Sequence, residues 1–145
     1  MFPYELRPAE PEDLDQASAL LAASGLPLEG FAEHLGGAVV ATRGGQVVGV
    51  VELEMYGDSA LLRSLAVTAS DRGARLGERL TSDALVLARE RGVRDVYLLT
   101  QTAERFFPRF GFATEDRALA PEPIRQSKQF RGACPESAVM MHVRL

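Results

Sequence analysis

The sequence predicts one α/β domain over residues 1–145, with a mixed sheet of about six to seven strands flanked by about four helices. Three patterns carry this expectation. Two Val-rich runs, 38–42 and 46–56, flank Gly44 and Gly45 and read as a β-hairpin. The stretch 61–100 reads strand, loop, long helix, strand, a unit that normally gives two parallel strands with a right-handed crossover. The closing residues 138–145 alternate in polarity, as a strand with one buried face does.

Each element has its own signal. Residues 1–7 alternate weakly and read as a first strand. Pro11 then opens a helical pattern with Leu14, Ala17, Leu20 and Leu21 on one face. Glu12 and Asp13 sit in its first turn, where the helix dipole favours acids, and Gly25 follows its end. Residues 28–35 read as a second short helix, closed by Gly36 and Gly37. After the hairpin, Gly57 and Asp58 mark a turn into a strand over 60–67, which makes three antiparallel strands in succession. A loop leads into a helix ending at Arg91, with Leu76, Leu80, Ala84, Leu87 and Ala88 as its apolar stripe and Gly92 beyond it. Residues 93–100 form an apolar strand. Thr102 is placed to cap a helix through Phe110, a strand begins at 112–114, and 121–129 reads as a short helix.

Composition narrows the function. With 46% hydrophobic and 25% charged residues, the chain is not disordered. No apolar run approaches the roughly 20 residues of a membrane helix, and the first residues lack the basic-then-apolar order of a secretory signal. The single cysteine, Cys134, excludes an intramolecular disulfide and a Cys-rich zinc site. No metal is expected, and a reducing, cytoplasmic setting is the simplest reading. The net charge of -4 argues against a nucleic-acid partner. Its distribution is uneven: residues 1–60 carry only Arg7 and Arg43 against ten acids, whereas the remainder carries fourteen basic residues against ten acids. That asymmetry suggests a local anion site.

The loop Arg72-Gly73-Ala74-Arg75-Leu76-Gly77 joins a strand to the start of the longest helix. Small residues there let backbone approach a ligand, and first-turn N–H groups point at an anion, with diphosphate a natural occupant. There is no G-x-x-x-x-G-K-(S/T) and no G-x-G-x-x-G, so a P-loop NTPase and a Rossmann dinucleotide site are both disfavoured.

Leu65-Ala66-Val67, five residues of loop, then Arg72-Gly73-x-x-x-Gly77 and a long helix resemble motif A of the GNAT N-acetyltransferases, whose pattern is (R/Q)-x-x-G-x-(G/A). Ala103-Glu104-Arg105-Phe106-Phe107-Pro108-Arg109-Phe110-Gly111-Phe112 resembles motif B, which ends in Gly-Phe. Arg75 stands where the pattern has its first glycine. Within the family, Leu99-Thr100-x-Thr102-Ala103-Glu104-Arg105-Phe106-Phe107, with Arg125 to Phe130 and Cys134-Pro135, resembles the acetyltransferase domain of N-acetylglutamate synthases. It is similar too to single-domain acetyltransferases assigned to arsenic resistance.

The resemblance implies a GNAT fold whose fourth and fifth strands splay apart to receive acetyl-CoA. Backbone groups of Leu65, Ala66 and Val67 would hold the pantetheine. The amides of Arg72, Gly73, Ala74, Arg75, Leu76 and Gly77 would hold the diphosphate, with Phe106 alongside. The N–H of Leu65 or Ala66 would polarise the thioester carbonyl. Glu52 and Glu54 share one face of a strand. Either could take the amine proton, directly or through water; Glu54 is preferred because it lies nearer the strand end. Phe107 occupies the position where many relatives carry a tyrosine acid, so no side chain there can protonate the thiolate. Arg7, Arg63, Arg125 and Ser127 would recognise the acid end of the acceptor, because arginine grips carboxylate and oxyanion groups bidentately.

The implied function is acetyl transfer to the amine of a small amino acid or a glutamate-like arsenical. A non-catalytic acyl-CoA sensor, or a transferase for protein N-termini or other amines, are the alternatives. His34 and His142 show no partner spacing and read as structural or surface residues, and Cys134 reads as an inert thiol. The Val139, Met141, Val143 and Leu145 stripe reads as core or as a homodimer interface.

Overall fold

The computed structural model describes residues 1–133 and 135–145, so the reading of Cys134 lies outside the described residues. Seven strands form one sheet: β1 Glu5–Pro8, β2 Ala38–Arg43, β3 Gln46–Tyr56, β4 Ser59–Val67, β5 Asp95–Thr100, β6 Ala113–Glu115 and β7 Val139–Arg144. Their order across the sheet is β1-β2-β3-β4-β5-β7-β6. Only the β4–β5 pair is parallel; the other neighbours are antiparallel. Three α-helices accompany them: α1 Leu14–Ala23, α2 Leu76–Glu90 and α3 Glu122–Arg125. None is long and apolar enough to cross a membrane.

The stripe of α2 packs on one face of the sheet. Leu76, Leu80, Ala84 and Ala88 meet Val39, Val51, Leu53, Leu62 and Leu98 there. The contact is close at Gly49, where a Cβ would lie 2.8 Å from Leu80 Cδ1, so the helix seats on β3 because that residue has no side chain. On the other face, Ala17, Leu20 and Leu21 of α1 pack with Phe31, Val40, Val50 and Ala66. Ile124 of α3 joins Leu61, Tyr97 and Met140 in a third cluster.

The expected helix from Thr102 to Phe110 is reduced to a single 3-10 turn over Phe107–Phe110. Pro108 removes the amide that an α-helix would bond to Glu104. Thr102 caps no helix; instead Thr100 Oγ1 accepts from the Ala103 amide at 2.9 Å. The second short helix is a 3-10 segment over Ala32–Gly37, where two glycines disfavour a regular helix. The expected helix at 121–129 shrinks to α3, and a π-turn follows over Gln129–Ala133. Met1 to Tyr4 lie outside β1.

His142, expected to stand alone, joins three strands. From β7 its Nε2 lies 2.8 Å from Asp95 of β5 and its Nδ1 lies 2.6 Å from Glu115 of β6. Its ring stacks on Tyr97 at 4.6 Å. Burial opposes the charged imidazole, but the bonds to Asp95 and Glu115 outweigh it and raise the pKa above the ordinary histidine value. Charged His142 therefore stabilises the fold fully below about pH 6.5 and loses its effect as pH rises through the folded-state pKa. We expect His142→Gln to cost about 1–2 kcal/mol near pH 6 and progressively less at higher pH, measured by urea unfolding across the range.

Candidate active site

The parallel β4–β5 pair holds for three positions, Ser59↔Asp95, Ala60↔Val96 and Leu61↔Tyr97. Beyond them the strands separate, as the splayed fourth and fifth strands of the sequence reading require. A bulge in β4 shapes the opening. Its register against β3 steps from Val50↔Ala66 to Glu52↔Arg63, which inserts one extra residue into β4. Ser64 there has φ +61, a left-handed conformation that strains a residue bearing a Cβ.

Past the bulge, the Thr68 amide donates to the Val48 carbonyl at 2.9 Å. Backbone groups alternate sides along a strand, so Ala66 also faces β3 while Leu65 and Val67 face β5. No residue of β5 pairs with them. Backbone polar groups shielded from water need partners; the Val67 carbonyl accepts from Arg72 Nε at 3.3 Å, while the Leu65 groups and the Val67 amide face an open wedge.

A continuous groove runs through this wedge. Its middle is a cleft of about 610 Å³ between Leu65, Ala66 and Val67 on one side and Thr102, Ala103 and Phe106 on the other. Toward α2 it meets a cleft of about 330 Å³ lined by Arg72, Gly73, Arg75, Gly77 and Phe106. At its base lies a pocket of about 150 Å³ lined by Arg63, Ser64, Thr100, Phe107 and Gln129, among others.

The α2 end is built for an anion. Gly73 has φ +91, and Arg75, the residue before the helix, has φ +59 and no side-chain cap bond. First-turn amides of α2 are left without a side-chain acceptor. The Arg75 side chain is exposed, as are Arg72, Gly73 and Ala74; Leu76 is buried in the core and offers only its backbone. Asp71 anchors this loop. Its carboxylate accepts from Arg43 (2.7 and 3.1 Å), Tyr4 (2.8 Å), Thr68 (2.5 Å) and Ser70 (3.2 Å). The Arg43 guanidinium, with these hydroxyls, holds its pKa below the usual carboxylate range.

At the base, Arg63 is fully occupied by protein. Its Nη1 donates to Glu54 Oε2 (2.8 Å) and the Glu29 carbonyl (2.5 Å). Nη2 donates to the Pro27 carbonyl (3.0 Å) and Nε to Ser64 Oγ (2.9 Å). Arg63 therefore ties the 27–29 segment to β4 rather than presenting a free fork to a substrate carboxylate. Glu54 also accepts from the Tyr56 hydroxyl at 2.5 Å, with His34 Nε2 at 3.7 Å. Neither Glu52 nor Glu54 faces solvent, and neither lines the groove. Glu54 stands behind Arg63, which corrects the expectation of a base touching the amine. Burial, eased by Arg63 and reinforced by Glu54, pushes the Glu52 pKa up to about 9. Glu52 is thus neutral at pH 7, and its oxygens have no hydrogen-bond partner among the described residues.

The structure gathers Leu65, Ala66, Val67, Arg72, Gly73, Arg75, Leu76, Gly77 and Phe106 about one groove, with Ala74 in the same loop. Arg7 is elsewhere: it sits on β1, separated from β4 by β2 and β3, and forks onto Asp13 at 2.7 and 3.0 Å. Arg125 is exposed and donates to the Ala120 carbonyl at 3.0 Å, while Ser127 is buried beside it; neither lines the groove. Gln129, buried at the base pocket, and Arg105, at the middle cleft, escaped the sequence reading. Only motif-B adjacency could have pointed to Arg105, and nothing local points to Gln129.

A model of the acetyltransferase (GNAT) domain matches residues 34–114. An uncharacterized N-acetyltransferase of Chlorobaculum tepidum is 32% identical over 117 residues, covering 78% of this chain and 75% of that protein. N-acetylglutamate synthase of Neisseria gonorrhoeae, solved with coenzyme A and N-acetyl-glutamate, superposes with a TM-score of 0.83 at 23% identity. The match covers 98% of this chain, which spans only 35% of the synthase. A Mycobacterium tuberculosis protein solved with CoA gives a TM-score of 0.81 at 20% identity, covering 97% and 99% of the two chains.

The two buried carboxylates should respond differently to neutralisation. Glu54→Gln strips Arg63 of its charged acceptor and is expected to cost about 3 kcal/mol in urea unfolding. Glu52→Gln replaces a group already neutral and is expected to change stability by less than about 1 kcal/mol.

Proposed function

The chain belongs to the GNAT acetyltransferase family of acetyl-CoA-dependent N-acetyltransferases, and from this we propose that its acceptor is the amine of a small amino acid or amino-acid-like compound, glutamate-like arsenicals included. The observation that carries the reading is the wedge itself. Backbone of Leu65 and Val67 that no β5 residue pairs links an anion-binding helix start to a small pocket of mixed polarity.

The residues present fit acetyl-CoA. Amides from Arg72 to Gly77 and the guanidinium of Arg72 would hold the diphosphate, and Leu65 and Val67 would pair with the pantetheine amides, while Ala66 lines the cleft with its backbone turned to β3. Acetyl-CoA supplies the activated acetyl group. The Leu65 amide, which faces the wedge, would polarise the thioester carbonyl. The neutral amine enters from the pocket walled by Leu26, Pro27 and Gln129. Its proton passes to water in the open cleft, since Glu54 is held behind Arg63. Phe107 is buried and packs edge-on against Phe106 and Phe112. It keeps the base of the wedge apolar, so the thiolate leaves without a phenol to protonate it. Arg125, with two guanidinium nitrogens uncommitted among the described residues, and Ser127 would steer the acid end of the acceptor.

Two variants test this. A Cβ at Gly77 would meet only Phe106, at 3.7 Å, so Gly77→Asp should fold normally. Its carboxylate at the helix start should weaken acetyl-CoA binding more than tenfold by calorimetry; unchanged binding would refute the placement. Arg125→Ala should raise the KM for glutamate about tenfold and spare that for acetyl-CoA. An equal rise in both would exclude a role in reading the acceptor. Tight acetyl-CoA binding with no thiol release from any amine would favour the sensor.

A further inference from the structure

Within β4, Ser64 alone takes a left-handed backbone. It is 7% exposed, yet it lines the pocket where the wedge closes. Its Oγ accepts the Nε–H of Arg63 at 2.9 Å. Arg63 is itself clamped by Glu54, Glu29 and Pro27. A rigid donor therefore occupies one lone pair of the serine, and the hydroxyl proton points elsewhere. No described group accepts that proton. In a regular strand the groups of successive residues diverge. The left-handed turn at residue 64 breaks that alternation, and Ser64 and Leu65 line the same pocket. Strain of this kind persists only where surrounding structure enforces it, and here the Arg63 network does.

We propose that Ser64 is a catalytic residue whose hydroxyl, together with the Leu65 amide, donates a hydrogen bond to the thioester carbonyl oxygen of acetyl-CoA. This rests on the acetyl-transfer reading above. As the amine lone pair forms the new C–N bond, the carbonyl π pair moves onto oxygen, where both donors meet the growing charge. Return of that pair restores the carbonyl and expels the coenzyme A sulfur with the C–S bonding pair. The nitrogen loses its proton to water, and Ser64 keeps its own throughout.

Ser64→Gly removes the hydroxyl and relieves the backbone, which offsets part of the cost of leaving Arg63 Nε without its acceptor; Ser64→Ala removes the hydroxyl and keeps the strained backbone. Both should lower kcat about a hundredfold and leave the KM for acetyl-CoA within about threefold. The second readout needs no turnover. In difference infrared spectra of acetyl-CoA labelled at the carbonyl carbon and bound without amine, the wild-type band should lie below that of free acetyl-CoA. Both variants should recover part of the shift. A Ser64→Gly variant with wild-type kcat, or the same band position in all three proteins, would overturn the proposal. A Ser64-dependent band in a protein that turns over no small amino acid would support the role of Ser64 and overturn the acceptor class instead.

Discussion

Everything at the site depends on β4 and β5 parting after three paired residues. A sheet interior normally satisfies each strand on both sides, and an unmatched buried amide or carbonyl costs about 1–3 kcal/mol. Here the unmatched edge of β4 is tolerated because it opens into a solvent-accessible groove. The α2 stripe packs on β3 and β4 on one face, and the bulge at Ser64 interrupts β4 just past the last residue paired with β5. A ligand carrying amides can then complete the interrupted ladder.

The buried charge beneath the groove follows a related logic. A guanidinium deep in the fold is costly unless each of its nitrogens finds an acceptor. Arg63 meets that condition with the Glu54 side chain, two main-chain carbonyls and a serine hydroxyl. Glu52, 3.8 Å from its Nε, stays neutral because burial outweighs the pull of that cation. Gly30 belongs to the same arrangement: a Cβ there would come within 3.0 Å of Arg63 Nη1, so the covering loop lies almost on the guanidinium. The pocket wall is thereby held by a network with little slack.

Local chemistry made much of this legible in the sequence. The hairpin around Gly44, the strand–loop–helix unit and the 72–77 loop are patterns within short windows, and they reappear as β2–β3, β4–α2 and the anion end of the groove. What escaped depends on contacts distant in sequence. Arg63 read as a substrate ligand because nothing nearby shows that Glu29, 34 residues earlier, and Glu54 would engage it. His142 read as solitary because its partners are 27 and 47 residues away. Glu52 and Glu54 sit in an apolar strand whose alternation hides that both faces are covered. The helix expected after Thr102 failed on a local rule, the proline at 108, that outweighed a favourable cap.

Asp71 gathers Tyr4 from ahead of β1, Arg43 from the end of β2 and two hydroxyls of its own turn. Tyr4, just ahead of the edge strand β1, is thus tied to Asp71 at the mouth of the groove. Trimming or fusing cargo at the amino terminus would loosen one guy-rope of that mouth, and its effect would be felt first in how firmly a nucleotide tail is gripped.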